Sequence, residues 1–107
     1  MYSKAKVSTQ EEEVTHKVQK YCKENGFFLT KIRLVVAYKL YELDRYETPV
    51  SLWLQLKKEN HTVSLGSIYL CLKFLTDAGV ASVRKVTDRQ LEYRIQPNLK
   101  LDILPEL

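Results

Sequence analysis

Two cysteines and two histidines are the side chains of this 107-residue chain best suited to covalent, metal or proton-transfer chemistry, and their spacing argues against each of these. Cys22 and Cys71 lie far apart, each alone among apolar neighbours at helical spacing. They suit neither a metal knuckle nor a redox pair and read as buried thiols. His16 and His61 stand singly and read as ordinary surface imidazoles. There is no glycine-rich phosphate loop, no carboxylate pair near a histidine, and no cysteine with a base at plausible spacing. The chain is therefore expected not to be an enzyme and to need no metal or other cofactor. What remains is charge: 17 Lys and Arg against 13 Asp and Glu give a formal +4, a mild basicity that permits nucleic-acid binding without demanding it.

Any such role needs a scaffold, and the composition allows one. With 45% hydrophobic and 28% charged residues the chain can pack one core and is too polar for membrane burial. Only three glycines and three prolines are present, so no linker or low-complexity stretch divides residues 1–107. Residues 1–13 lack the apolar run of a signal peptide, and no segment approaches the roughly 20 apolar residues of a membrane span. A single cytoplasmic domain without membrane association is expected.

Ser8 and Thr9 precede Glu11, Glu12 and Glu13, which predicts a capping box with Thr9 as N-cap and Glu12 reaching back. Val14, Val18, Tyr21 and Cys22 then form an apolar stripe until Asn25-Gly26 supplies a left-handed stop, so helix 1 should run from about Thr9 to Glu24. Thr30 should cap a second helix lined by Leu34, Val36, Ala37, Leu40 and Leu43, with Val35, Tyr38 and Tyr41 broadening its apolar face enough for packing on two sides. Thr48-Pro49 opens a third, with Leu52, Trp53 and Leu56 inward and Lys57, Lys58 and Glu59 closing it. Ser64 caps a fourth, in which Ile68, Leu72 and Leu75 share one face before Ala78-Gly79 ends it. The period then changes to two: Ala81, Val83 and Lys85, then Leu91, Tyr93 and Ile95, predict a hairpin joined at Thr87-Asp88-Arg89. The fold class is mainly α with a small β-hairpin, a winged helix-turn-helix with an extra N-terminal helix. Residues 1–25 form the helical extension, 26–95 the winged-helix core, and 96–107 a tail left unassigned.

The segments Gly26-Phe-Phe-Leu-Thr-Lys-Ile-Arg33, Val63-Ser-Leu-Gly-Ser-Ile-Tyr-Leu-Cys-Leu72, Asp77-Ala-Gly-Val80 and Glu92-Tyr-Arg-Ile95 occur in an order and spacing that resembles the N-terminal domain of the ferric-uptake-regulator family. The resemblance covers about Gly26 to Ile95. It implies a transcriptional regulator whose fourth helix enters the major groove of double-stranded DNA. Tyr69 matches a tyrosine that touches base edges, and Arg33 matches the motif arginine. Ser67 on the same helix, Lys73 on its outer side, Lys31 at the start of helix 2, and Arg84, Lys85 and Arg89 on the wing complete the DNA-binding candidates.

Two positions depart from the family pattern. Leu70 stands where the family carries a DNA-gripping arginine, and Phe28 where it often carries a minor-groove cation. Phe28 and Leu70 are therefore candidates for a protein-facing surface, which makes a protein-protein interaction module that has lost DNA binding the alternative function. The family's metal-sensing half, with its His-rich and Cys-x-x-Cys runs, is expected to be lacking, since residues 1–107 contain no such runs, and Asp44-Arg45-Tyr46-Glu47 replaces the histidines placed before helix 3. No metal is expected. Helix 1, or the tail residues Leu99, Leu101, Ile103 and Leu104, could supply the contact of a homodimer.

Overall fold

The computed structural model describes the backbone of residues 4–97 and the side chains of residues 12–97. Four helices, α1 (Lys4–Asn25), α2 (Lys31–Leu43), α3 (Pro49–Lys58) and α4 (Leu65–Asp77), precede an antiparallel hairpin of β1 (Ala81–Thr87) and β2 (Gln90–Ile95). This is the predicted order. α2 is the hub, touching α1, α3, α4 and β2, which explains its broad apolar face. Val36, Ala37 and Leu40 are fully enclosed, and Tyr38 reaches α1 through a hydroxyl bond to Thr15.

Most of the boundaries follow local capping chemistry. Thr48 Oγ1 accepts the Ser51 N–H at 3.1 Å with Pro49 in the first turn, and Ser64 Oγ accepts the Ser67 N–H at 3.1 Å. Gly26 and Gly79 take φ of +73° and +78°, the left-handed values that let the chain leave α1 and α4. Two expectations need correction. α1 begins at Lys4, so Thr9 and Glu12 lie inside it and form no capping box; Lys4, Ala5 and Lys6 are good helix formers, and nothing between them and Thr9 breaks the helix. Thr30 holds the N-cap position of α2 with extended backbone, but its side chain makes no capping bond.

The core is a single cluster. Leu52 and Leu56 of α3, Ile68, Leu72 and Leu75 of α4, and Val80 and Ile95 at the base of the hairpin surround α2. Val14, Val18 and Cys22 enter the same cluster, so α1 is part of the packing unit and its apolar stripe is consumed within the domain. Both cysteines are free and buried.

Hairpin pairing runs from Ala81↔Ile95 to Thr87↔Gln90, with an irregularity between Lys85 and Thr87 and a turn at Asp88-Arg89. Only its base is buried, at Ala81, Tyr93 and Ile95; Val83, Val86 and Leu91 are exposed, so the distal half projects as a wing wetted on both faces. The wing is also tied to the loop before α3, because Glu47 and Tyr93 exchange two backbone hydrogen bonds of 2.8 Å. Glu47 is itself buried, and its carboxylate accepts from Ser51 Oγ at 2.5 Å, from Gln55 Nε2 at 3.3 Å and from Arg45.

Candidate nucleic-acid interface

α4 is the element that could present side chains to a groove. Its inward face buries Ile68, Cys71, Leu72, Phe74 and Leu75, and its outward face carries Gly66, Tyr69, Leu70, Lys73 and Asp77. The tight connection from α3 is held by Trp53 Nε1, which donates to Val63 O at 2.8 Å, and by the His61 N–H, which bonds Leu56 O at 3.0 Å. The helix therefore leaves the body at a fixed angle, and its N-terminal turn stands exposed, with Ser64 Oγ donating to Ser67 Oγ at 3.0 Å.

Tyr69, half exposed, faces a cleft of about 380 Å³ between α3, α4 and the wing, which Thr48, Val50, Arg89, Gln90, Leu91 and Tyr93 also line. Tyr93, at the floor, has its hydroxyl pKa raised by burial and secondarily by Tyr69, so it stays protonated and able to donate.

The cations differ sharply in what they already touch. Lys31 and Arg89 are exposed, and among the described residues their side chains have no hydrogen bond, ion pair or ring contact. Lys73 pairs with Asp77 at 3.2 Å and Lys85 with Asp88 at 3.8 Å. Arg84 donates twice to Glu92 Oε1, at 2.9 and 2.7 Å, and lies 4.0 Å from the Tyr46 ring centroid. Arg94 approaches the same ring at 5.5 Å and pairs with Asp44 at 2.9 Å. Arg33 points into the body: its guanidinium sits 3.9 Å from the Phe74 centroid and 5.6 Å from that of Phe27, and it donates to Phe28 O at 2.7 Å. Arg33 thus braces the loop before α2. Phe28 and Leu70 are among the most exposed apolar side chains, at 87% and 71%.

Tyr46, Glu47, Arg94 and the Phe27–Phe74 clamp on Arg33 went unseen in the sequence. Their roles depend on partners remote in the chain, and only the position of Glu47 beside the Thr48-Pro49 helix start hinted at one of them.

The cysteines and histidines are the side chains best suited to covalent or metal chemistry. Burial pushes the Cys71 thiol pKa up against the opposing pull of Arg33, which leaves it protonated and inert. Among the described residues no three His, Cys, Asp or Glu side chains gather where they could hold a metal ion, so the donor set does not fit a metal cofactor. His16 is exposed and His61 half-buried, and neither belongs to such a group among the described residues. No helix among the described residues is long and apolar enough to cross a membrane.

Comparison with known proteins places this geometry. Over residues 24–103 the chain matches the family model of the ferric uptake regulators. No curated protein sequence matches it. Among solved structures it is similar to the Helicobacter pylori ferric uptake regulator, described as having three functional metal-binding sites, with a TM-score of 0.72 and 23% identity over 80% of this chain and 57% of that one. The Streptococcus pyogenes protein PerR, described in terms of peroxide sensing and gene regulation, aligns with a TM-score of 0.63 and 22% identity over 73% of this chain and 54% of its own. The Vibrio cholerae ferric uptake regulator, whose DNA-binding domains are described as rearranged, gives 0.62 and 18% identity over 71% and 59%. The chain thus spans little more than half the length of these proteins. The shared fold, together with a family match across most of its length, makes the chain a member of the ferric uptake regulator family.

Proposed function

We propose that the chain is a cytoplasmic, winged-helix transcriptional regulator that binds double-stranded DNA, with α4 in the major groove and the wing beside the backbone. The observation that carries this reading is the exposed, rigidly held α4. A 13-residue helix is about 20 Å long and fits a groove about 12 Å wide, and Tyr69 and Ser67 lie on its accessible side. Membership of a regulator family supports the same reading. Tyr69 would read bases, through its ring against a thymine methyl and its hydroxyl to a base edge or phosphate. Lys31 and Arg89 would neutralise phosphates. Lys73, Arg84 and Lys85 would do so only by exchanging a carboxylate for a phosphate, and Arg33 would act by holding the loop before α2. Two copies on adjacent half-sites would give the affinity that one domain lacks. The apolar stripe of α1 is occupied within the domain, so a homodimer contact through α1 would use its other faces; the tail residues Leu99 to Leu104 lie outside the described residues.

The decisive experiment is fluorescence anisotropy on duplex DNA selected from a random pool, over a range of salt. With two free cations, the slope of log K against log salt should lie near about −2 per domain, whereas six available cations would give about −5. Tyr69→Ala should cost about 1 to 3 kcal/mol on selected DNA and relax base preference. Absence of binding at low salt would sink the reading.

One observation favours a second reading. Phe28 and Leu70 project apolar surface beside α4, as a module for protein association would require. Leu70→Arg separates the two. On DNA it adds a phosphate contact and tightens binding generally, whereas in an apolar protein interface it leaves an unpaired charge and abolishes association.

A further inference from the structure

The outward face of α3 carries apolar and basic side chains that the proposed DNA contact leaves unused, Arg89 excepted. α3 buries Leu52 and Leu56, yet its outward face also carries Val50 and Leu54, one helical turn apart and 42% and 49% exposed. Single exposed apolar residues are ordinary, but these two belong to a continuous depression. Val50 lines both the α3–α4–wing cleft and a broad open groove of about 720 Å³ along α3, where Leu54, Lys57 and Lys58 also lie. Leu91 of the wing extends the apolar floor at one end.

The charge along this depression has one sign. Lys57, Lys58 and Arg89 line it, and no Asp or Glu does. Among the described residues Lys58 and Arg89 have no ion pair, and Lys57 is steadied 5.0 Å from the Trp53 ring centroid. Elsewhere on the wing the cations are paired with carboxylates. We propose that the outward face of α3 docks an acidic amphipathic segment of another protein, with apolar anchors on Val50 and Leu54 and carboxylates towards Lys57, Lys58 and Arg89. A DNA backbone offers negative charge but no apolar groups to cover Val50 and Leu54. A second copy docked on this surface would add its own Lys57, Lys58 and Arg89 to the interface and bring no lining carboxylate to meet them, in a chain already at +4. An amphipathic helix with a one-turn apolar repeat meets both requirements.

The proposal shares Arg89 with the DNA reading and otherwise uses other side chains, and its test keeps the two separable. A fluorescein-labelled peptide of about 16 residues, with leucines at helical i, i+4 spacing and glutamates elsewhere, is titrated with the full chain. Two controls are a lysine-for-glutamate version and a scrambled one. The glutamate peptide should bind about ten-fold or more tighter than either control. Leu54→Asp should weaken it about ten-fold, and Lys57→Glu combined with Lys58→Glu should reverse the preference towards the lysine peptide. These side chains are exposed, so thermal melts should confirm folded variants, and Leu54→Asp should leave duplex binding unchanged. Equal binding of the three peptides, or a Leu54→Asp affinity within two-fold of wild type, would overturn the proposal. So would a Leu54→Asp loss on DNA as large as that on the peptide, because the face would then belong to the DNA interface.

Discussion

Arg33 matches the family's motif arginine and is a DNA-binding candidate in the sequence, while its guanidinium is engaged inside the domain, and Arg33→Met separates the two roles. Methionine keeps a straight side chain and good helix propensity but removes the charge and the donors. The lost contact over Phe74 and Phe27, in a half-buried setting, is worth about 0.5 to 2 kcal/mol. The 2.7 Å bond to Phe28 O adds about 0.5 to 1.5 kcal/mol, at the low end for a charged donor because the pair is solvent-exposed. Sulfur packing on Phe74 returns part of this, leaving a net loss of about 1 to 2 kcal/mol. At roughly 4 to 8 °C per kcal/mol, the melting temperature should fall by about 5 to 15 °C. Thermal and urea unfolding measure the loss, and anisotropy on selected DNA, well below both transitions, measures function. The salt slope should not change. An unchanged melting temperature, with weaker DNA binding and a slope shallower by about 0.9, would show that Arg33 grips a phosphate and that the bracing argument is wrong.

Gly79→Val should lower stability by about 1 to 2 kcal/mol in urea unfolding; the added Cβ meets only the flexible end of Lys17, Cε at 3.5 Å and Nζ at 3.9 Å, so the cost comes from φ of +78° rather than from a clash. Glu47→Gln removes a buried charge that accepts from Ser51, Gln55 and Arg45, and should cost about 1 to 3 kcal/mol. It should also speed amide exchange at Tyr93, and protection equal to wild type would count against coupling between Glu47 and the wing. Burial alone would lower the pKa of Lys39, but hydrogen bonds to Glu59 at 2.5 Å and Glu42 at 2.9 Å overcome it and raise the value above 10.5. Its folded-state pKa exceeds its unfolded one, so its contribution is complete below about pH 10.5 and is lost as pH rises through the folded value. Urea midpoints of Lys39→Met should therefore decline less steeply than those of wild type above that pH, and parallel declines would refute the linkage.

Legibility followed the range of the interactions. Thr48-Pro49, Ser64, Gly26 and Gly79 act on backbone within a few residues, and each stands where its local chemistry placed it. Thr9 has the same capping chemistry and failed, because a cap forms only where the helix actually starts, and good helix formers ahead of it carried α1 back to Lys4. The apolar stripes gave the core faces of α1 and α4, whereas alternation on the wing did not give burial, since Val83 and Leu91 are only partly covered and stay about 40% exposed. Charged residues were the least legible. Lys39 and Glu47 look like surface residues in the sequence and are buried, because Glu59, Ser51 and Gln55 converge on them from α3 or its end. Arg33 was legible as a motif residue but not as a brace, since the Phe74 ring it covers belongs to another helix.

These placements leave the surroundings of α4 electrostatically uneven, which bears on how a polyanion would approach. On the α2 side, the loop at Phe27-Phe28-Leu29 and Leu70 of α4 present apolar surface, Arg33 is turned inward, and Lys31 is the one candidate cation without a partner. On the wing side, Arg89 stands free near Tyr69 and Tyr93, with Lys57 and Lys58 farther along α3. Between them, Lys73 and Asp77 cancel on α4 itself. An exposed pair of that kind is worth about 0 to 1 kcal/mol, so a phosphate can displace the carboxylate at small cost. The displaced carboxylate nevertheless stays nearby and repels the phosphate, so such a pair supplies less binding than a free cation. Long-range attraction of a polyanion would therefore act mainly from the wing and α3 side, where on the proposed reading it would orient the domain before α4 reaches a groove. On the proposed DNA reading, discrimination would then fall to short-range contacts of Tyr69 and Ser67, because the candidate cations around them are too few, or too fully occupied, to hold the domain on arbitrary sequence.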